Sequence, residues 1–302
     1  MNDFWIILEG SLVAVSCGLL GVYLILRKMA MVGDAISHAV LPGIVIAYLV
    51  AQSRSSFFTL LGAALFGLLT TFMIEVFSKK ARIQSDASIG ITFTWLFAIG
   101  VILVSAFSGN VDLDQECVLY GDIAYVPFDT LYIGSTDLGP APVWLQAINL
   151  IAVLILLRVG HRGFLITSFD PAFSSGLGIK TDTWHYVLMG AVSFTVVLSF
   201  NAVGAILVVA FLVVPPATAY LISKQVETMM AYTVLFGILS AIGGFYLATW
   251  WNSSISGAMA VAAGILFVLV FAAKKVFMRQ QKKTTANAFD GKLEFRDGVL
   301  VD

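Results

Sequence analysis

The 302-residue sequence has few charges and few cysteines. Asp, Glu, Lys and Arg make up 12% of its residues, about half of the roughly 25% found in average soluble domains. With only two cysteines, this composition excludes an ordinary soluble enzyme, a disordered chain and a disulfide scaffold. A Walker A loop, a GxGxxG motif and a nucleophile elbow are also missing, so the sequence shows no site for ATP chemistry. No stretch of interleaved basic and aromatic residues suggests a nucleic-acid partner.

Hydrophobic residues make up most of what is present. They account for 59% of the chain, and the mean hydropathy is +0.95. Nine apolar runs are close to the roughly 20 residues that a helix needs to cross a bilayer. These runs are approximately 5–26, 35–51, 57–77, 88–107, 142–159, 184–200, 202–222, 229–250 and 255–277. The sequence therefore predicts an all-α polytopic membrane protein. Runs six and seven nearly touch around Phe200 and Asn201, so both eight and nine transmembrane helices are compatible with it.

The basic residues are segregated along the chain. Nine spans with the N-terminus outside would put 16 of the 17 Lys and Arg residues on the cytoplasmic side and leave only Arg54 outside. This bias agrees with the positive-inside rule. The prediction is a multi-pass protein of the cytoplasmic (inner) membrane with a cytoplasmic C-terminus. Residues 1–278 would form the transmembrane domain and residues 279–302 a polar cytoplasmic tail.

The loop between runs four and five is acidic and contains no Lys or Arg. Its carboxylates include Asp112, Asp114, Glu116 and Asp122. The predicted topology places this loop outside, where a negative surface would attract cations. An ordinary solvated loop is the alternative interpretation.

Asp34 and His38 are the strongest candidates for a functional site within the membrane. Ionisable groups in the hydrocarbon are costly and therefore suggest function. Four residues apart on a helix, the two side chains share one face and could hold a divalent cation. Two structural interpretations compete with this one: Asp34 as a helix N-cap, and His38 as a core histidine bonded to a carbonyl. A tight site would also need ligands from other helices, a second copy of the chain or water.

Three further features are predicted to be structural. Glu75 and Lys79 lie four residues apart at the cytoplasmic rim, which favours a surface ion pair. Pro215 and Pro216 lie inside the seventh run, where they are expected to break or kink the helix and to free backbone carbonyls. His161, in a basic cytoplasmic loop, and His185, near a helix start, are both expected to be structural.

Five ordered segments of the chain are similar to one known family. They cover Gly21–Gly43, Ile83–Ile91, Asp112–Asp122, Ser168–Ile179 and Val203–Ala219. The sequence resembles the permease subunits of the zinc/manganese/iron group of ABC importers over nearly its whole length, from about residue 10 to 275.

This resemblance implies a cobalamin-importer-like permease fold, the type II ABC importer fold. Two identical permease chains, surrounded by membrane lipid, would pair as a homodimer around a central pathway. Cytoplasmic ATPase subunits and an extracytoplasmic metal-binding protein would be the other partners, so the permease itself would not be an enzyme. Asp34 and His38 match the family's cation ligands on the pathway. The cargo would be manganese first, then iron or zinc, with no permanently bound cofactor.

The resemblance also assigns a region that contacts the ATPase, residues 169–179, which we call the coupling segment. Its matching residues are Phe169, Asp170, Pro171, Gly176 and Gly178. The family often has an acidic residue and an alanine after the proline, whereas here Ala172-Phe173 follows, so the ATPase contact could differ in detail. The rival hypothesis is an ion-coupled secondary metal transporter that works without an ATPase. That class favours inverted repeats and several buried carboxylates, and the sequence shows no convincing repeat.

Overall fold

The computed structural model describes residues 2–51, 56–107, 123–133 and 136–290. Within these ranges, nine helices are long and apolar enough to cross a membrane, which confirms the predicted all-α polytopic class. The helices are α1 (Asn2–Leu26), α2 (Val32–Ala51), α3 (Ser56–Glu75), α4 (Ser85–Phe107), α5 (Ala141–Phe169), the short α6 (Pro171–Gly176), α7 (Thr181–Val203), α8 (Ala205–Ile222), α9 (Val226–Trp251) and α10 (Ile255–Asp290). A π-helical turn, Val76–Lys80, extends α3.

Helix α1 lies at the centre of the bundle. It packs against α5, α7, α8 and α9. Of the residues in its apolar stretch, 67% are buried, a larger share than in any other described span. Val13, Cys17, Leu20 and Tyr23 are fully buried on it. Helices α3 and α4 pack against α2, and α10 packs against α8 and α9. A helix that is apolar all round is expected in such an interior position.

A small non-helical unit precedes α5, and the sequence did not predict it. A 3-10 turn, Ile123–Phe128, leads into the antiparallel hairpin of β1 (Thr130–Ile133) and β2 (Thr136–Pro140). The 3-10 turn packs against α1. Gly139 lies so close to the Trp5 ring that a Cβ would be 2.9 Å from it. This unit therefore covers the N-terminal part of α1.

Two helices extend beyond their predicted apolar runs. Helix α5 continues to Phe169, ten residues past the end of the fifth run. His161 consequently lies on a helix, with Nε2 3.9 Å from the Glu227 carboxylate, and not in the loop that the apolar pattern predicts. Helix α10 continues past residue 278 to Asp290, so the predicted boundary between the membrane domain and the tail is not a helix end.

Helix α8 remains continuous through Pro215 and Pro216, so the predicted break does not occur. A proline at position i removes the donor to the carbonyl at i−4. The carbonyls of Phe211 and Leu212 therefore lose their helical donors.

The freed carbonyls face glycines of α1. A Cβ at Gly21 would overlap the Leu212 carbonyl oxygen, and a Cβ at Gly18 would lie 3.7 Å from the Phe211 oxygen. The Cα hydrogens of glycine can approach such oxygens as weak donors. Small residues also allow close helix packing in membranes. Gly21 thus accommodates the proline-modified helix beside α1, whereas a Cβ at Gly18 would make only an ordinary contact with it.

Replacing Gly21 by Ala is expected to destabilise this contact. The new methyl group would overlap the Leu212 carbonyl and lie 2.9 Å from Cγ of Pro216. Overpacking of this kind typically costs about 1–3 kcal/mol. Thermal unfolding of the purified chain in detergent should show a lower midpoint for Gly21→Ala. Gly264→Ala is the matched control, because a Cβ there would meet no atom within 4 Å; equal midpoints for the two variants would contradict the predicted contact.

A buried hydrogen-bond network ties α1, α5 and α7 together. The Gln146 amide nitrogen donates to Ser16 Oγ at 2.6 Å and to Ser199 Oγ at 3.1 Å. All three side chains are buried. Such polar contacts hold membrane helices together where hydrophobic packing alone gives little preference between partners. The network thus fixes the positions of α1, α5 and α7 relative to one another.

Candidate functional site

Asp34 and His38 lie together in the first turns of α2. His38 Nε2 is 3.4 Å from Asp34 Oδ1, and the side chains are 30% and 34% exposed for His38 and Asp34 respectively. Because α2 begins at Val32, Asp34 lies inside the first turn and not at the N-cap position. A carboxylate there is stabilised by the helix dipole. The partial exposure of His38 also argues against a fully buried core histidine.

Aromatic side chains of α4 line one side of His38. The imidazole lies 5.7 Å from the Phe93 ring and 5.8 Å, edge-on, from the Phe97 ring, measured between ring centres. Contacts of this geometry are favourable between aromatic rings. They restrict the orientation of the imidazole and limit water access from the α4 side.

Close packing fixes the start of α2. Leu212 of α8 occupies the space where a Cβ of Gly33 would lie. Ser37 Oγ donates to the Gly33 carbonyl at 3.0 Å within the same helix. Ser37 is therefore engaged in its own helix, although it lies between the two candidate ligands in sequence.

The donor set within a single chain is incomplete. No group of three or more His, Cys, Asp or Glu side chains that could hold a metal occurs among the described residues. The pair offers one imidazole nitrogen and one carboxylate, whereas transition metals in proteins usually take four to six ligands. Since both side chains are partly exposed, further donors can reach the pair from outside the chain.

The coupling segment forms an exposed turn whose residues have clear local roles. Asp170 caps α6 by accepting a hydrogen bond from the Phe173 backbone N–H at 2.8 Å. Pro171 occupies the first helical position, where its missing N–H has no cost. At the other end, Gly178 adopts φ +78° and Ile179 N–H donates to the Ser174 carbonyl at 3.0 Å. This is the Schellman ending, which favours glycine.

The other two predicted coupling residues lie in the same exposed turn. Phe169 is 63% exposed at the end of α5. A Cβ at Gly176 would meet no atom within 4 Å, so packing does not require glycine there. Phe173 and Leu177 are also more than half exposed. The structure thus brings the predicted coupling residues together around a group of exposed apolar side chains.

Arg27, just after α1, joins three elements at the coupling segment's end of the bundle. Its Nε donates to Ser168 Oγ at 3.0 Å and one terminal nitrogen donates to Thr167 Oγ1 at 2.8 Å. The other terminal nitrogen is 3.4 Å from Nδ1 of His185. Burial lowers the pKa of this guanidinium, and the nearby Tyr23 hydroxyl opposes the shift. Arginine nevertheless remains protonated in proteins.

Lys79, in the π-helical turn after α3, bridges two carboxylates. Its Nζ lies 2.6 Å from Glu75 Oε1 and 2.6 Å from Asp182 Oδ1 of α7. The predicted pair of Glu75 and Lys79 is therefore confirmed, but Glu75 is only 8% exposed and the contact with Asp182 was not predicted. Local sequence patterns carry no signal for the contacts of Arg27 with Thr167 or of Lys79 with Asp182, because these partners lie more than 100 positions away.

These contacts gather the basic turns after α1 and α3, together with the end of α5, at one end of the bundle. The predicted topology places all three on the same side. The predicted acidic residues of the outer loop, Asp112, Asp114, Glu116 and Asp122, lie outside the described residues.

Comparisons with known proteins agree with this architecture. Residues 3–274 match the sequence model of the ABC 3 transport family. The manganese transport system membrane protein MntD of Bacillus subtilis is 49% identical over 269 residues, covering 89% of this chain and 91% of MntD. The zinc transport system membrane protein TroD of Treponema pallidum is 38% identical, covering 88% and 72% respectively. The structure of PsaBC from Streptococcus pneumoniae in complex with Fab superposes with a TM-score of 0.72 at 29% identity, covering 88% of this chain and 90% of that one.

Proposed function

Because the chain belongs to the ABC 3 transport family, we propose that it is the membrane-spanning permease subunit of an ATP-driven importer of divalent transition metal ions. The observation that carries the proposal is the Asp34–His38 pair, which presents an imidazole and a carboxylate together on a partly exposed face of α2. A permanently bound cofactor is not part of the proposal, since the metal is the cargo.

The transported ion would bind the Asp34 carboxylate and the neutral imidazole of His38. A histidine must lose its second proton to bind a metal, so binding favours the neutral ring. Two permease chains paired around a central pathway would contribute two such pairs. This homodimer would supply the donors that one chain lacks.

Manganese is the first candidate for the ion, followed by iron and zinc. The pair provides nitrogen and oxygen ligands without a thiolate, and carboxylates favour harder ions such as Mn(II). Zinc sites more often contain Cys and additional His. The higher identity to a relative named as a manganese transporter than to one named as a zinc transporter supports the same order.

Energy would come from partner ATPase subunits on the cytoplasmic side. Their contact would be the coupling segment, with its exposed Phe169 and Phe173. A metal-binding protein outside would deliver the ion over the acidic outer loop. ATP binding and hydrolysis would move the helices between discrete arrangements and open the site inward. The N-terminus would lie outside and the C-terminus in the cytoplasm of the inner membrane.

The proposal predicts that uptake depends on ATP hydrolysis in a separate subunit. Cells expressing this chain, its ATPase and its metal-binding protein should accumulate radioactive manganese. A substitution of the ATPase's Walker A lysine, which holds the nucleotide phosphates, should reduce uptake to background while the complex still assembles. Undiminished uptake with the inactive ATPase would instead support the secondary transporter.

A further inference from the structure

The coupling segment is held at both of its ends by basic side chains from other elements. Its N-terminal boundary is the last turn of α5, where Thr167 and Ser168 contact Arg27. Its C-terminal boundary is the first turn of α7, where Asp182 contacts Lys79. We call these two sets of contacts the clamp.

The two basic residues of the clamp lie on either side of α2 in sequence. Arg27 precedes α2 by five residues, and Lys79 lies in the turn that ends the α2–α3 hairpin. Helix α2 carries Asp34 two residues after its first residue, Val32. The clamp therefore joins the coupling segment to the hairpin that carries the proposed metal ligands.

The local backbone holds Arg27 in place for this contact. The next residue, Lys28, has φ +59°, and Met29 N–H donates to the Leu24 carbonyl at 2.9 Å. This ending is normally made with glycine, because a residue with a Cβ is disfavoured in the left-handed region. The turn consequently has a defined shape that directs the Arg27 guanidinium towards α5 and α7.

Two cavities border the residues of the clamp. One cavity of about 220 Å³ and another of about 560 Å³ are both lined by Arg27, Met29, Lys79 and His185. The Arg27 and Lys79 side chains therefore border open space as well as their hydrogen-bond partners. A connection made of a few directional bonds can have two discrete arrangements, which transmission between distant sites requires.

We propose that Arg27 and Lys79 are positioning residues that transmit movement of the coupling segment to α2, and so couple ATP hydrolysis to opening of the Asp34–His38 site. This inference rests on the proposed function. It assigns the two residues a role in coupling and not in binding the metal or the nucleotide.

The first test compares two neighbouring cations in the complete transporter. The complex of this chain with its ATPase is reconstituted in liposomes with its metal-binding protein, and manganese import and ATP hydrolysis are measured in the same sample. Arg27→Gln should lower the manganese imported per ATP about 10-fold, within the range of about 5- to 150-fold typical of coupling between two sites. Basal ATP hydrolysis should persist. Lys28→Gln, which removes an exposed charge beside Arg27, should leave the ratio unchanged.

The second test exchanges the charges of the Lys79–Asp182 contact. Lys79→Asp alone places three carboxylates together and should also lower the ratio of manganese to ATP. Adding Asp182→Lys restores a cation between position 79 and Glu75, so the double variant should recover the ratio. A purely structural defect would instead lower import and ATP hydrolysis together, in proportion to the amount of assembled complex.

The outcomes separate this inference from the proposed function. If the unaltered complex imports manganese with ATP but Arg27→Gln keeps the same ratio, the clamp does not couple the two sites. Failure of the charge exchange to restore coupling would overturn the role of Lys79. If the unaltered complex hydrolyses ATP without importing any divalent metal, the proposed function itself fails.

Discussion

Asp34→Asn and His38→Gln are each expected to reduce manganese uptake at least about 100-fold. Asp34→Asn removes the negative charge of the carboxylate and His38→Gln removes the imidazole nitrogen, and loss of an outer-shell partner alone already costs about 10- to 100-fold. The two side chains lie 3.4 Å apart and would bind the same ion. The side chain that remains in each variant therefore cannot supply the ligand that the other has lost. The measurement is uptake of radioactive manganese by cells that express the chain with its ATPase and metal-binding protein.

Ser37→Ala provides the matched control for both variants. Ser37 lies between the two candidate ligands in sequence, but its hydroxyl donates to the Gly33 carbonyl of its own helix. Uptake by this variant should remain close to that of the unaltered chain. All variants should reach the membrane in equal amount and bind the ATPase. Normal uptake by Asp34→Asn and His38→Gln would show that the pair is structural, and the acidic loop and the choice of metal would need to be reconsidered.

Features that depend on the bilayer or on local spacing were predictable from the sequence. A helix in lipid must be apolar over about 20 residues, so the nine apolar runs correspond to the nine candidate spans of the described chain. The Asp34–His38 contact follows from positions four apart on one helix. Both inferences need only a few consecutive residues and no knowledge of how the helices pack.

Helix ends outside the bilayer were not predictable in the same way. The last ten residues of α5 include His161 and Arg162, which interrupt the apolar run although the helix continues. Hydropathy reports contact with lipid and not helix formation in water or at the interface. The same reason explains the continuation of α10 past residue 278.

Tertiary contacts overrode the local effect of Pro215 and Pro216. Prolines remove helical donors, which made a break the natural prediction. The structure instead keeps α8 helical and places the freed carbonyl of Leu212 against Gly21. That outcome depends on a glycine almost 200 positions away. The contact between Arg27 and Ser168, 141 positions apart, could not be predicted for the same reason.

The exposed apolar side chains of the coupling segment lead to the second large expected effect. Phe169, Phe173 and Leu177 are 63%, 59% and 58% exposed in the single chain. Exposed apolar groups at an end of the bundle rich in polar side chains indicate a surface that a partner covers. Phe173→Asp is expected to weaken binding of the ATPase about 30-fold or more, corresponding to about 2 kcal/mol for a central aromatic contact. Manganese uptake should fall to background with it.

Phe173→Leu distinguishes loss of apolar contact from loss of the turn itself. The cap of α6 uses the backbone N–H of residue 173 and the side chain of Asp170, so neither substitution removes it. Leucine keeps an apolar side chain and should retain most of the ATPase binding, measured by co-purification from detergent. Both variants should unfold at the temperature of the unaltered chain, because the side chain is largely exposed. If the ATPase co-purifies equally well with Phe173→Asp, the ATPase docks elsewhere, since a charged group cannot replace a phenyl ring at the centre of an apolar contact without loss.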